Sequence, residues 1–230
     1  DDAGRHERRV LAHRMAGGIS LADGVRLVRE RGRQMQASGA GRDGAMAAVI
    51  GLDDAHLAEL VERSGSHGIF GVANRNAPGQ VVVSGERAAI DASAVVAREL
   101  GARKTIVLPV SVAAHSPLMA NAAAAMQDVL AGVTFNDPSI PILANAAAHP
   151  LLDAEACRAE LVAHLTAGVD WVAAVERMAA AGVSIFIEVG PGRVLTGLVR
   201  RIAPDAQAIA LDDPAAADRL FVPFASPTPA

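Results

Sequence analysis

Between Gly44 and Val110, six segments follow one another in an order that few folds accept. "GAMAAVIGL" (44–52) has the composition of a strand, and "DDAHLAELVERSG" (53–65) reads as a helix capped by Asp53 or Asp54. "GIFGVANR" (68–75) and "QVVVSG" (80–85) read as strands joined by a loop that contains "NAPG". "ERAAIDASAVVARELG" (86–101) reads as a helix stopped at Gly101, and "RKTIVLPV" (103–110) as a closing strand.

The order β-α-β-β-α-β over about 65 residues is the ferredoxin-like split βαβ pattern, so residues 44–110 are predicted to form a compact small subdomain. The flanking chain follows a different logic. "ISLADGVRLVRERGRQMQ" (19–36) reads as a helix started by Ser20 and Asp23, with Leu21, Val25, Leu27, Val28 and Met35 on one face. After the small subdomain, a helix is expected over 116–132 and a short strand within 139–151. Helices over 153–168 and 170–182, a strand over 183–190, a Gly-Pro-Gly turn with a helix, and a last strand over 206–213 follow. This part is α/β, with strands suited to a parallel sheet. The segment "VPFASPTPA" is Pro-rich, so residues 215–230 read as a tail or linker.

Composition narrows the function classes. The 230 residues are 51% hydrophobic, enough for a substantial core, and the net charge is −4. Mild acidity argues against nucleic acid or an anionic membrane as the main partner. The one cysteine, Cys157, makes no internal disulfide framework and suits a reducing cytoplasm. No apolar run is long enough to span a bilayer, and the first residues carry no signal-peptide core.

Several positions stand out as candidates for chemistry. His115, in "SVAAHSPLM" (111–119), sits where a strand ends and a helix begins, among small residues that leave an imidazole accessible as a general base. A loop histidine with no role fits the same position, and the residues by themselves leave both readings open. Arg31 projects into the apolar arc of its helix, between Leu27 and Met35, while Arg26, Arg29 and Arg33 project away. A guanidinium on the core side needs an anionic partner, either a bound carboxylate or an internal Asp or Glu. Gly190, Pro191 and Gly192 form a strand-to-helix turn that either presents N–H groups to an anion or merely connects. Asn74 and Asn76 read as turn formers, and Cys157 as a buried inert thiol.

The motifs "RGRQMQ", "GAMAAVIGL", "VANRNAPGQVVVSG", "GARKTIVLPVSVAAHSPLM", "VDW" and "FIEVGPGRVLTGLVRRI" occur here in order. Together they closely resemble the malonyl-CoA:acyl carrier protein transacylase family, which includes the acyltransferase domains of polyketide and fatty acid synthases. The resemblance runs from about Gly17 to Asp213. It implies a partial α/β-hydrolase-like, parallel-sheet core from residues 1–43 and 111–214, N-terminally incomplete, with the ferredoxin-like subdomain 44–110 inserted. It also implies ping-pong transfer of malonyl from malonyl-CoA to the phosphopantetheine thiol of acyl carrier protein, through an acyl-serine. By the same resemblance His115 is the catalytic base, Arg31 binds the malonyl carboxylate, and a backbone carbonyl near His164 orients His115. Asn74 and Ser111 are placed at the cleft. No cofactor or metal is implied, coenzyme A being part of the substrate. The tetrapeptide "VAAH" resembles the small-residue pattern of stand-alone malonyl enzymes, which favours malonyl over methylmalonyl.

One motif of the family has no counterpart. Its GHSxGE elbow belongs just before "GGISLADG", where this sequence reads "AGRHERRVLAHRMAGG", and the serine would fall near His6. Ser20 reads as a helix cap and Ser111 as a strand end, so no nucleophile is identified. Truncation, one piece of a split protein, and degeneration remain as explanations. The expectation is a malonyltransferase by descent that is not competent alone. The alternative is a non-catalytic module that binds acyl carrier protein or acyl-CoA.

Overall fold

The computed structural model of the chain describes residues 12–13, 16–41 and 43–213. The stretch around His6 and the expected tail over 215–230 lie outside the described residues. Two compact units divide between Ala174 and Val175.

In the first unit, α1 (Leu21–Gly39) starts at Ser20, whose hydroxyl accepts the Asp23 N–H at 3.1 Å. The expected apolar face needs correction. Leu21 and Val25 are 59% and 63% exposed, and the buried row is Gly24, Leu27, Arg31, Met35 and Ser38. At ~100° per residue, Leu21 and Val25 stand about 80° and 120° from the middle of that row, so the helix turns them outward.

Then come β1 (Gly44–Ile50), α2 (Asp54–Gly65), β2 (Phe70–Ala77), β3 (Gln80–Glu86), α3 (Arg87–Glu99) and β4 (Lys104–Val107). The β-α-β-β-α-β order read from the sequence is the order observed. The strands lie in the order β4-β1-β3-β2 and all these pairs are antiparallel. β4 is shorter than the expected 103–110. Leu108 still donates to Met46 O at 2.8 Å, but Pro109 has no N–H to continue a ladder.

β1 carries the core on both of its faces. Met46 joins one buried cluster, with Leu27, Met35, Leu118, Met126 and Leu130. Ala45, Ala47 and Val49 join the other, with Leu57, Leu60 and Ile90 of α2 and α3. A strand covered on both faces has no polar side to show, hence the uninterrupted "GAMAAVI".

The segment after β4 does not enter a helix directly at Ser116. A 3₁₀ turn (Pro117–Met119) precedes α4 (Ala120–Ala131). The single strand expected within 139–151 is a small hairpin of β5 (Ile142–Leu143) and β6 (Pro150–Leu151). α5 (Ala154–Ala163) is capped by Asp153, which accepts the Ala156 N–H at 2.8 Å. It ends five residues before the expected Gly168, because the chain turns at His164 to reach β7 (Val169–Asp170). β7 pairs parallel with β2 and adds a fifth strand to the sheet. The sheet is therefore mostly antiparallel, with its parallel pairing confined to this edge. α6 (Trp171–Ala180) contains the division between the units.

In the second unit, β8 (Ile185–Val189), α7 (Val194–Ile202) and β9 (Gln207–Leu211) make one βαβ turn, with β8 and β9 parallel. Gly190 and Gly192 have φ of +106° and +88°, a left-handed region that glycine enters without strain. The helix start after this turn is already satisfied. Buried Glu188 accepts both the N–H and the hydroxyl of Thr196 at 2.7 Å. With a carboxylate at the first turn of α7, the turn reads as a connection rather than an anion site.

No helix among the described residues is long and apolar enough to cross a membrane.

Candidate active site

His115, Arg31, His164, Asn74, Ser111 and Cys157 lie in the first unit, and the turn of Gly190, Pro191 and Gly192 lies in the second. The segment that carries His115 is wedged between α1 and the start of β1. A Cβ on Gly39 would stand 2.9 Å from Val112 Cγ1, and one on Gly44 would stand 3.0 Å from Ala113 Cβ. Ser38 of α1 donates its hydroxyl to Leu118 O at 3.0 Å, which ties the helix of Arg31 to the turn just beyond His115. Ser116 closes the turn locally. Its hydroxyl donates to Ala113 O at 2.7 Å and accepts the Leu118 N–H at 3.3 Å.

His115 itself has φ of +58°. A non-glycine residue in that region costs about 1–2 kcal/mol, and such strain gathers where a side chain must be aimed. The imidazole is buried, and its Nδ1 faces two main-chain oxygens, His164 O at 2.7 Å and Ala167 O at 3.1 Å. A carbonyl only accepts, so Nδ1 carries the hydrogen. In the neutral ring Nε2 then keeps the lone pair, which is the state a general base needs. The His164 ring is also buried, with its centroid 6.0 Å from that of His115. Its Nδ1 donates to Glu160 O at 3.0 Å.

Arg31 is 5% exposed, inside the larger cluster between buried Leu27 and Met35. α1 packs against α4 and against the 3₁₀ turn, so Arg31 and His115 stand on elements that share one core. Asn74 is buried on β2, opposite Val82 and beside Val169 of β7. Its Oδ1 has no hydrogen-bond partner among the described residues. Ser111 lies exposed in the bend after β4. Cys157 is buried in α5, and burial first, with nearby Asp153, Asp137 and Glu160, pushes its thiol up and away from the thiolate. Among the described residues no cluster of three His, Cys, Asp or Glu side chains is placed to hold a metal ion.

Two features of the site had no signal in the residue pattern. Ala167 contributes only its carbonyl. Gly168 lets that turn approach β2, since a Cβ there would stand 2.7 Å from Val72 O. Asn145 and Glu160 were also unmarked, and they meet: the Glu160 carboxylate accepts from Asn145 N at 2.7 Å and from Asn145 Nδ2 at 2.9 Å.

His115 is thus a buried, left-handed histidine held by main-chain oxygens, and Arg31 is buried on a helix that packs against the turn just beyond it. Residues 10–211 match the acyl transferase domain family, and the chain belongs to that family. The malonyl CoA-acyl carrier protein transacylase of Escherichia coli K12 is 43% identical over 201 residues, which is 87% of this chain and 65% of the relative. The chain thus spans just under two thirds of the length of that curated relative. The acyl-carrier-protein S-malonyltransferase of Bartonella henselae superposes with a TM-score of 0.88 at 39% identity, covering 92% of this chain and 67% of that one. A malonyl-transacylase solved in complex with a type II PKS acyl-carrier protein superposes with a TM-score of 0.84 at 37% identity, covering 87% of this chain and 65% of that one.

Proposed function

We propose that this chain carries the base and the carboxylate-recognition element of a malonyl-CoA:acyl carrier protein transacylase. The observation that carries the reading is the His115 ring, whose Nδ1–H is held by His164 O and Ala167 O. A serine hydroxyl attacks the thioester carbonyl of malonyl-CoA while His115 Nε2 takes its proton. The C–S bond then breaks, and the coenzyme A thiolate leaves with the proton from His115. In the second half the phosphopantetheine thiol loses its proton to Nε2 and attacks the acyl-serine. The ester bond breaks and the serine oxygen recovers the proton. The two carbonyls favour the imidazolium in both halves without themselves ionising. Arg31 takes the malonyl carboxylate as a bidentate pair, which disfavours acetyl because the buried guanidinium would lose that anion.

The domain layout proposed with this reading places residues 44–110 as a ferredoxin-like insert. The antiparallel order β4-β1-β3-β2 supports it. The same layout assigns residues 1–43 and 111–214 to a partial α/β-hydrolase-like core, and the parallel pair β8–β9 is in keeping with it. Asn74 and Ser111 border the pantetheine path. The acyl carrier protein as partner is supported by the relative solved with its carrier protein. A cytoplasmic setting goes with the free, buried Cys157.

The 230 residues contain no GHSxG sequence, and the nucleophile in this proposal comes from a separate segment. The test is incubation with labelled malonyl-CoA followed by intact-mass measurement. The expected result is no adduct on this chain alone, and one malonyl per complex after a segment carrying the family's GHSxG elbow is supplied. A stoichiometric adduct on a serine of this chain would relocate the nucleophile. No adduct under either condition, with malonyl-CoA still bound, would favour the binding module.

A further inference from the structure

His115 is aimed by main-chain oxygens, and such an oxygen is only as well placed as the peptide that carries it. The His164 carbonyl stands at the C-terminal end of α5, where helices fray. Here the end is clamped. His164 donates to Glu160 O twice, from its backbone N at 3.1 Å and from its ring Nδ1 at 3.0 Å. The carboxylate of the same Glu160 accepts two bonds from Asn145, at 2.7 Å and 2.9 Å. Asn145 O in turn accepts the Asp170 N–H at 2.8 Å. Residues 164–170 are therefore pinned at their start through Glu160 and at their end through Asn145, and the two pins are bonded to each other. Both oxygens that face His115 Nδ1, those of His164 and Ala167, lie on the stretch between them.

We propose that Glu160 is a positioning residue for His115, acting through Asn145 and His164 to hold the two carbonyls on the imidazole. The proposal rests on the reading of His115 as the base. Glu160 needs only an acceptor oxygen for this task and exchanges no proton with His115. A Gln, which keeps Oε1, serves in its place, and an Ala does not. Asn145 fits the same logic: its side-chain amide supplies one of the two bonds and its backbone N–H supplies the other.

The experiment uses the full chain labelled with ¹⁵N-histidine, with the His115 signals assigned by their loss in His115→Gln. The wild-type ring is expected in one tautomer, with Nδ1 protonated and its hydrogen slow to exchange. Glu160→Ala and His164→Leu are each expected to speed that exchange about tenfold and to mix the tautomers. Glu160→Gln is expected to stay within about twofold of wild type. In a reconstituted transacylase, Glu160→Ala lowers kcat about tenfold at unchanged KM for malonyl-CoA. If the wild-type transfer assay fails, the reading of function fails, and the ring spectra still decide the positioning. If Glu160→Ala unfolds, Asn145→Ala, which retains the backbone bond, is expected to raise exchange about threefold. Unchanged His115 signals in the folded variants would overturn the proposal and leave Glu160 a plain structural clamp.

Discussion

Residues 44–107 and residues 108–170 of the same unit are held by different means. The first region is an antiparallel ladder with a buried apolar layer on each face, and helices α2 and α3 cover one of them. β1 pairs with β3 over its whole length, from Gly44 opposite Glu86 to Ile50 opposite Gln80. The second region has two-residue strands, a 3₁₀ turn and two helices, α4 and α5, tied by side-chain bonds such as Ser38 to Leu118 O and the pair from Asn145 to Glu160. Its one left-handed histidine and its converging carbonyls are features that a ladder forbids. On the proposed function, the difference separates a scaffold, whose substitutions are felt as stability, from a candidate site, whose substitutions are felt as geometry.

The sharpest test of that division is a cavity in the scaffold. Leu60 and Ile90 are fully buried in the cluster under α2 and α3. Leu60→Ala is expected to cost about 2–5 kcal/mol by urea unfolding, and to leave the His115 ring signals unchanged while the chain is folded. A change in those signals would mean that the two regions are coupled through the sheet.

Acid should expose a second contribution. Burial lowers the His13 imidazole to about 4 from an ordinary value of 6.5, and the ring stands edge-on to Phe135 at 6.4 Å. The folded state disfavours the charged ring, so this stability is fully present above pH ~6.5 and is lost as pH falls toward ~4. The loss amounts to about 3 kcal/mol. His13→Phe, followed by unfolding at a series of pH values, should flatten that part of the curve.

Gly168→Ala brings a Cβ to within 2.7 Å of Val72 O, so the turn must back away from β2. A stability loss of about 1–3 kcal/mol is expected, with the His115 Nδ1 signal moved as well, because Ala167 O shifts with the turn. Ser38→Ala is the mildest change. It removes one buried hydrogen bond to Leu118 O, at a cost of about 1 kcal/mol by thermal unfolding.

The same division governs what the residue pattern revealed. The element order over 44–110 was legible because each segment has its own period and its own stop, such as Asp53 as a cap and Gly101 as an end. The burial of Arg31 was legible because a helix projection places it between Leu27 and Met35. Leu21 and Val25 misled, since apolar side chains at the edge of an arc do not reveal which way the helix is rolled. β7 was missed because two residues have no measurable alternation. The carbonyl of Ala167 and the clamp between Asn145 and Glu160 join residues far apart in sequence or through groups that every residue possesses, so no local pattern marks them. The His164 oxygen was reached only through family resemblance.

The central claim is that His115 and Arg31 divide the work, one as base and the other as carboxylate receptor. The direct measurement is transfer of malonyl and of acetyl by a reconstituted enzyme carrying either substitution. His115→Ala is expected to slow both acyl groups alike, by about 10²–10⁴-fold. Arg31→Ala is expected to lower malonyl transfer about 30- to 1000-fold relative to acetyl, the loss of a charge-assisted pair of about 2–4 kcal/mol. Equal losses for malonyl and acetyl in Arg31→Ala, or a His115→Ala variant that still transfers either group at the wild-type rate, would contradict the account.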